Sequence, residues 1–347
     1  MTKLLIRHTK NKRKYNTEGT MKRFKLILCV VDSYDQSLTA LTQAQQLSKK
    51  HQAKLRVIKV IKKAGSHFPL IQNKQELDKA FNEHLVAKQK ELEELVDAHC
   101  QDVKTDVEVL VGIAFIEIIR DVLRQKPELL VKCSLNESWL ERLFGSDDMH
   151  ILRKCPCPIL MLKPGHIEPC LNILATVDLM NDDFDEEKEY RVQDQLNSLV
   201  LEHAASFALF ESAELHIGCV WDAFGENFLR YGAVAQTSED NINRYVEQSH
   251  QEYQGKLEKL SLELKALVGK EALDFIKPIT HLVKGLPAKE IPLMTQKYDI
   301  DLIVMGTVAR TGISGLFIGN TAEAILEQVQ CSVLAIKPMG FQTPITM

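Results

Sequence analysis

A chain of 347 residues with 45% hydrophobic and 26% charged content is long enough to fill two ordinary globular cores, and its composition is neither low-complexity nor collagen-like. A formal net charge of −4 provides no overall basic field for phosphate backbones, which counts against a dedicated nucleic-acid binder. The longest aliphatic runs, such as LILCVV and LIVM, fall far short of the ~20 residues a membrane-spanning helix needs, so no membrane role is expected.

In chain order, residues 1–21 read as a basic, disordered leader: the first twenty residues hold six Lys or Arg and lack the apolar core of a secretory signal. A cytoplasmic location is the expectation that follows. The first strand is predicted at KLILCVVD, ending on Asp32, and the second at AKLRVIKVI. Leu77, Phe81, Leu85, Leu92 and Val96 then recur at helical spacing, and EVLVGIAFIEII reads as a strand, a glycine and a helix. A loop, CSLNESWLERLFGSDDMH, precedes the closing run CPILMLKP. The same succession returns after residue 168. LNILATVD ends on Asp178, AELHIGCVW follows, THLVKGLPAKEI sets Gly285 and Glu290 opposite Gly112 and Glu117 at an offset of 173, and CSVLAIKP matches CPILMLKP. A tandem duplication accounts for this.

Each copy therefore reads strand, helix, strand, long helix, strand, helix, strand, loop, helix, strand. Short continuous apolar strands alternating with helices predict α/β architecture: two tandem doubly wound parallel-sheet domains, over 22–165 and 168–340, with a tail at 341–347. The apolar final strands PILML and SVLAI are the candidate contacts between the two domains. Ligands of such folds bind beyond the carboxyl ends of the strands, at the switch point. Asp32 and Asp178 lie there, and so does the loop GTVARTGISGLFIGNT at 306–321, with four glycines and one arginine.

Glycines let backbone N–H groups approach an anion closely, and the helix that follows offers unpaired N–H groups. The alternative is a tight connection with no ligand. NTAE resembles a capping box, with Asn320 as the cap and Glu323 reaching back. No P-loop is present, because no Lys-Ser or Lys-Thr follows the glycines. Other candidates carry less. Cys155 and Cys157 of CPCP would share a face if extended, but two thiolates alone make a poor metal site, and the eight cysteines read as reduced, buried packing residues. HIGC at 216–219 is a broken nucleotidyl-transferase signature on a strand, and the acidic run at 181–190 lacks the spacing of a calcium loop. No catalytic constellation emerges.

The segment DLIVMGTVARTGISGLFIGNTAEAILEQVQCSVLAIKP resembles the closing portion of a universal stress protein domain. With the duplication, GLPAKEI and the terminal FQTP, the chain from about residue 22 is similar to the tandem E-type members of that family. The resemblance implies a stress-response binding or regulatory protein, with resistance to DNA-damaging agents among its roles, and not a dedicated enzyme. It also implies a site for ATP or another adenine nucleotide, with or without magnesium, formed by Asp178, Gly306, Thr307, Ala309, Arg310, Gly319, Asn320 and Thr321 of the C-terminal domain. Ala309 replaces a family glycine and Asn320 a small hydroxyl residue, which weakens a phosphate site without abolishing it; Arg310 is either a phosphate contact or a solvated loop residue. The N-terminal loop keeps only Gly145 and places Asp147 and Asp148 where phosphates would lie, so that half is not expected to bind ATP. A different small or amphipathic metabolite, or weak nucleotide hydrolysis, remain the alternatives.

Overall fold

A computed structural model describes residues 24–32, 34–63, 74–134, 147–164, 170–179, 187–231, 238–308 and 318–347. The leader, the N-terminal loop with Trp139 and Gly145, the acidic run at 181–186, and Ala309 and Arg310 lie outside the described residues. In the first half the order is β1 (Leu26–Val30), α1 (Tyr34–His51), β2 (Lys54–Ile61), α2 (Lys74–His99), β3 (Thr105–Val111), α3 (Ala114–Gln125), β4 (Leu129–Cys133), α4 (Asp147–Lys154) and β5 (Ile159–Leu162). The second half runs β6 (Asn172–Val177), α5 (Glu187–Glu211), β7 (Glu214–Trp221), α6 (Glu226–Tyr231), α7 (Glu239–Val268), α8 (Lys270–Ile276), β8 (Ile279–Lys284), α9 (Pro287–Lys297), β9 (Leu302–Gly306), α10 (Asn320–Leu326) and β10 (Ser332–Ile336).

The succession is the predicted one, with α6 and α8 added around the long helix of the second half. Gly269 makes the break between α7 and α8 at φ 87°, a left-handed geometry that other residues adopt only at a cost. The repeat also explains its own glycines. A Cβ on Gly112 would lie 2.7 Å from Glu117 Cγ, and one on Gly285 would lie 2.7 Å from Glu290 Cγ, so in each copy the glycine makes room for the glutamate that opens the next helix.

All ten strands form one sheet in the order β3-β2-β1-β4-β5-β10-β9-β6-β7-β8. Neighbours are parallel within each half. The halves join where β5 meets β10 antiparallel, with Val333 opposite Met161, Leu334 opposite Leu160 and Ala335 opposite Ile159. The PILML and SVLAI runs thus do meet. Every residue of these two strands is buried, which is why their sequences are continuously apolar. Helices cover both faces of the sheet. One apolar layer runs from Leu41 and Leu55 through Leu160 to Leu201 and Leu215, the other from Ile118 and Ile151 through Ile159 to Ile303 and Leu326, so both cores are continuous across the two halves. Each fully buried Leu or Ile in these layers contributes roughly 1.5–3 kcal/mol.

Polar contacts cross the same seam. Lys50 of α1 lies 2.7 Å from Glu211 of α5, and Arg153 of α4 pairs with Glu323 of α10. The second contact corrects the capping-box expectation. Gly319, which has no side chain to bond with, caps α10 in place of Asn320, and Glu323 pairs with Arg153 of the other half.

Candidate functional site

In each half the strand order reverses between the first strand and the fourth, so a crevice forms at their carboxyl ends. In the second half this is the gap between β6 and β9. Asp178 follows β6 directly, and its backbone is clamped by Asn197 of α5. The Asp178 N–H donates to Asn197 Oδ1 at 3.0 Å, and Asn197 Nδ2 donates to the Asp178 carbonyl at 2.8 Å. Gln193 Nε2, one turn earlier, also donates to Asn197 Oδ1 at 3.2 Å. A buried side-chain amide therefore does for this strand end what a neighbouring strand does further back.

Across the crevice, β9 ends on Gly306. A Cβ there would approach Leu196 Cδ2 to 2.5 Å, so Gly306 is required by the α5 side chain that lies over it. Thr307 is fully buried, and its hydroxyl is 2.7 Å from Lys337 Nζ, on the side away from the crevice. Its carbonyl accepts from the Gly319 N–H at 3.2 Å, and Val308 bridges Ile318, so the two ends of the glycine-rich loop are tied together at its base. Gly319 then leads into α10, whose first N–H groups have no partner within the helix.

These pieces enclose a cavity of about 520 Å³. Asp178, Gly306, Gly319, Asn320 and Thr321 all line it, and Thr307 does not. Its walls are mostly aliphatic, among them Leu196, Val200, Val220, Ile291, Met305 and Ile325, and none of the described lining residues is Lys or Arg. The volume falls in the range of small-molecule and cofactor sites. Among the described residues the cavity thus offers aliphatic walls, Asp178 as its acidic residue, and for an anion only backbone N–H groups and the Asn320 and Thr321 side chains.

The universal stress protein family profile matches this chain twice, over residues 23–163 and 194–337. The chain belongs to the universal stress protein family. It is 29% identical over 232 residues to universal stress protein E of Salmonella typhi, covering 66% of this chain and 67% of that protein. To the universal stress protein E homolog of Haemophilus influenzae it is 30% identical over 213 residues, covering 61% and 62%. A functionally unknown protein from Pseudomonas aeruginosa PAO1 superposes with a TM-score of 0.59 at 26% identity, over 91% of this chain and 93% of that one. A universal stress protein from Archaeoglobus fulgidus superposes with a TM-score of 0.58 at 15% identity, over 89% and 98%, a likeness of fold alone.

The first universal stress protein domain carries something else at the same place. Lys132 of β4 is buried, with Nζ 2.8 Å from Asp148 Oδ1 and in contact with Asp32. Burial works against its charge, but Asp148 and Asp32 more than offset this and raise its pKa above the ordinary lysine range. In the register that pairs Gly112 with Gly285, Lys132 corresponds to Met305, and the register that pairs CPILMLKP with CSVLAIKP sets Asp148 opposite Ala322. Both counterparts line the C-terminal cavity. An internal ion triad thus stands where the other half has a cavity wall. The sequence singled out Asp32 and Asp148 separately; it gave no sign of Lys132, which lies in an otherwise apolar strand.

Among the described residues no group of three His, Cys, Asp or Glu is placed to hold a metal ion, and no helix is long and apolar enough to cross a membrane. His216 of the HIGC segment is a β7 residue whose Nδ1 lies 2.9 Å from His281 Nε2, at the opposite end of the sheet from the cavity.

Proposed function

We propose that the C-terminal domain of this tandem universal stress protein binds a small molecule, an adenine nucleotide such as ATP, and that the chain acts as a cytoplasmic stress-response binding and regulatory protein. The observation that carries this reading is the cavity at the β6/β9 switch point, which gathers Asp178, Gly306, Gly319, Asn320 and Thr321 on one surface. In this reading Asp178 meets the ribose, the aliphatic walls hold the base, and the start of α10 faces the phosphates together with Ala309 and Arg310 of the loop. The domains span 22–165 and 168–340, and their pairing through β5 and β10 replaces a dimer of single-domain chains. Protection against DNA-damaging stress would follow from regulation by the bound nucleotide, not from turnover.

A second reading is favoured by one feature of the same cavity. Aliphatic side chains dominate the lining, and no cation is among its described residues, which suits a less charged or amphipathic metabolite. One experiment separates them. The purified protein is extracted and its retained small molecules identified by mass spectrometry, and ATP is then titrated by calorimetry with and without magnesium. Binding of one ATP that weakens at least tenfold in Gly319→Val, with circular dichroism confirming the fold, supports the nucleotide reading; the wild-type backbone there, φ −62° and ψ 139°, is a conformation open to L-residues. Retention of a different compound with no ATP binding would sink it.

A further inference from the structure

The geometry points to a second chemical site, at the seam between the halves: the Cys155–Cys157 pair is a dithiol that hydroperoxides oxidise to a disulfide, with Lys337 as its base. The two sulfurs lie 3.5 Å apart across Pro156, between the end of α4 and the start of β5. Cys155 is fully buried and Cys157 is 7% exposed. Closing a disulfide requires a sulfur separation of about 2.05 Å, so the thiols need to move together by only about 1.5 Å. The other half is an internal comparison. At the corresponding positions it has Val329 and Cys331, one thiol without a partner two residues away.

What distinguishes this pair from ordinary core cysteines is a buried amine held on the last turn of α4, the helix that leads into Cys155. Lys337 follows β10 and is buried, with Nζ donating to the Leu152 carbonyl at 2.6 Å and bonded to the Thr307 hydroxyl at 2.7 Å. The Phe341 ring covers it, with the centroid 5.2 Å from Nζ. Burial pushes Lys337 down to about 7, with Cys155 the charge that opposes this. An amine poised near neutrality is suited to accept a thiol proton. On the other side, burial raises the Cys155 thiol, but hydrogen bonding from Cys157 and the nearby Lys337 bring it below the ordinary cysteine range. Cys157 is pushed well above the ordinary range, first by that hydrogen bond to Cys155 and then by burial, and the other described cysteines, Cys29, Cys100, Cys133, Cys170, Cys219 and Cys331, are pushed up first by burial.

The chemistry balances with one hydroperoxide. Lys337 takes the Cys155 proton as the Cys155 sulfur attacks a peroxide oxygen; the O–O bond breaks, a sulfenic acid forms, and the departing hydroxide takes the proton back from Lys337 to become water. The Cys157 sulfur then attacks the Cys155 sulfur, the S–O bond breaks, and the hydroxyl leaves with the Cys157 proton as a second water. Two thiols are oxidised and one hydrogen peroxide is reduced. The disulfide removes the thiol partner of Lys337 at a point tied to both α4 and Thr307, so the oxidation state would be felt at the seam and at the base of the glycine-rich loop. This inference does not depend on which ligand fills the cavity.

The test uses the full, folded, reduced chain. It is exposed to hydrogen peroxide for increasing times, quenched with an alkylating agent under denaturing conditions, and mapped by peptide mass spectrometry. The expected result is a peptide carrying Cys155 and Cys157 that is two hydrogens lighter, appearing at least tenfold faster than oxidation of Cys29 or Cys219 and reversed by a dithiol reductant. In Cys157→Ser the product should stop at a sulfenic acid on Cys155, trapped by a dimedone-type probe. Lys337→Met should slow the reaction at least fivefold, with circular dichroism confirming the fold. If that variant does not fold, the contrast between wild type and Cys157→Ser decides alone. A pair that oxidises no faster than Cys29, or only after denaturation, overturns the proposal.

Discussion

The two halves place the same elements around the same crevice and fill it in opposite ways. In the C-terminal half the space between the first and fourth strands is bounded by Met305, Ala322 and Asp178 and stays open as a cavity. In the N-terminal half the matching positions hold Lys132, Asp148 and Asp32, which bind one another. Buried Lys132 and Asp148, with the partly exposed Asp32, thus place an ion cluster where the other half has open space. The two halves share their cores and one sheet and differ in what occupies this crevice.

The strongest way to break that comparison is to remove its centre. Lys132→Met installs the residue of the other half and leaves Asp32 and Asp148 facing each other without a cation. Breaking a buried pair in this way typically costs about 3–5 kcal/mol. Urea unfolding should register that loss, and Lys132→Met with Asp148→Ala should recover much of it by removing the second buried charge. A single variant that costs less than about 1 kcal/mol would mean the triad is solvated.

A smaller effect is expected on the open side. Gly306→Val drives methyl groups into the space of Leu196, and overpacking of this kind costs about 1–3 kcal/mol. Adding Leu196→Ala should restore most of the stability. If the double variant also regains ligand binding, Gly306 serves packing alone; if binding stays lost, its backbone also meets the ligand. Asn197→Ala comes next. It removes both bonds that hold the Asp178 backbone, and loss of such partners costs about 1–2 kcal/mol, measurable by the same unfolding experiment. Ligand affinity should fall along with stability, whereas a stable variant with unchanged affinity would release Asp178 from its assigned role.

Much of this was legible beforehand, and for definable reasons. Strands buried on both faces write themselves as continuous apolar runs, so β5, β10 and their contact could be read directly from PILML and SVLAI, while the more exposed edge strands β3 and β8 were read from their place in the repeat. The repeated Gly and Glu at 112 and 117, and at 285 and 290, marked the duplication because each pair is a local contact within one turn. The capping box misled because α10 starts one residue earlier, with Gly319 as its cap, and Glu323 meets Arg153, 170 residues away. Lys132, Asn197 and Lys337 escaped notice for the same reason. A lysine in an apolar strand, an amide in a helix and a lysine before a proline have no local signature; their meaning lies in Asp148, in the Asp178 backbone and in Thr307, which only the fold brings near. α6 and α8 were also unforeseen, since helices of six and seven residues leave too short a periodicity to detect.

The smallest expected effect concerns pH, and it sharpens the seam. Lys337 has a folded-state pKa of about 7, below the ordinary 10.5. Between those values the unfolded chain binds more protons at this residue than the folded one, so its contribution makes stability rise with pH from about 7 upward and makes folding costlier below it. The buried thiols that burial pushes up work in the opposite direction at higher pH, but they are common to wild type and to Lys337→Met. The difference in unfolding free energy between the two proteins isolates the lysine together with its coupling to Cys155. It should move in favour of wild type by about 1.6 kcal/mol between pH 7 and pH 8.5, within the limit of about 1.4 kcal/mol per pH unit for one proton. A difference that stays flat over this window would show that Lys337 keeps its proton in the folded chain. The seam would then hold a charged ammonium, and Cys155 would lack the neutral amine that its reaction with peroxide requires.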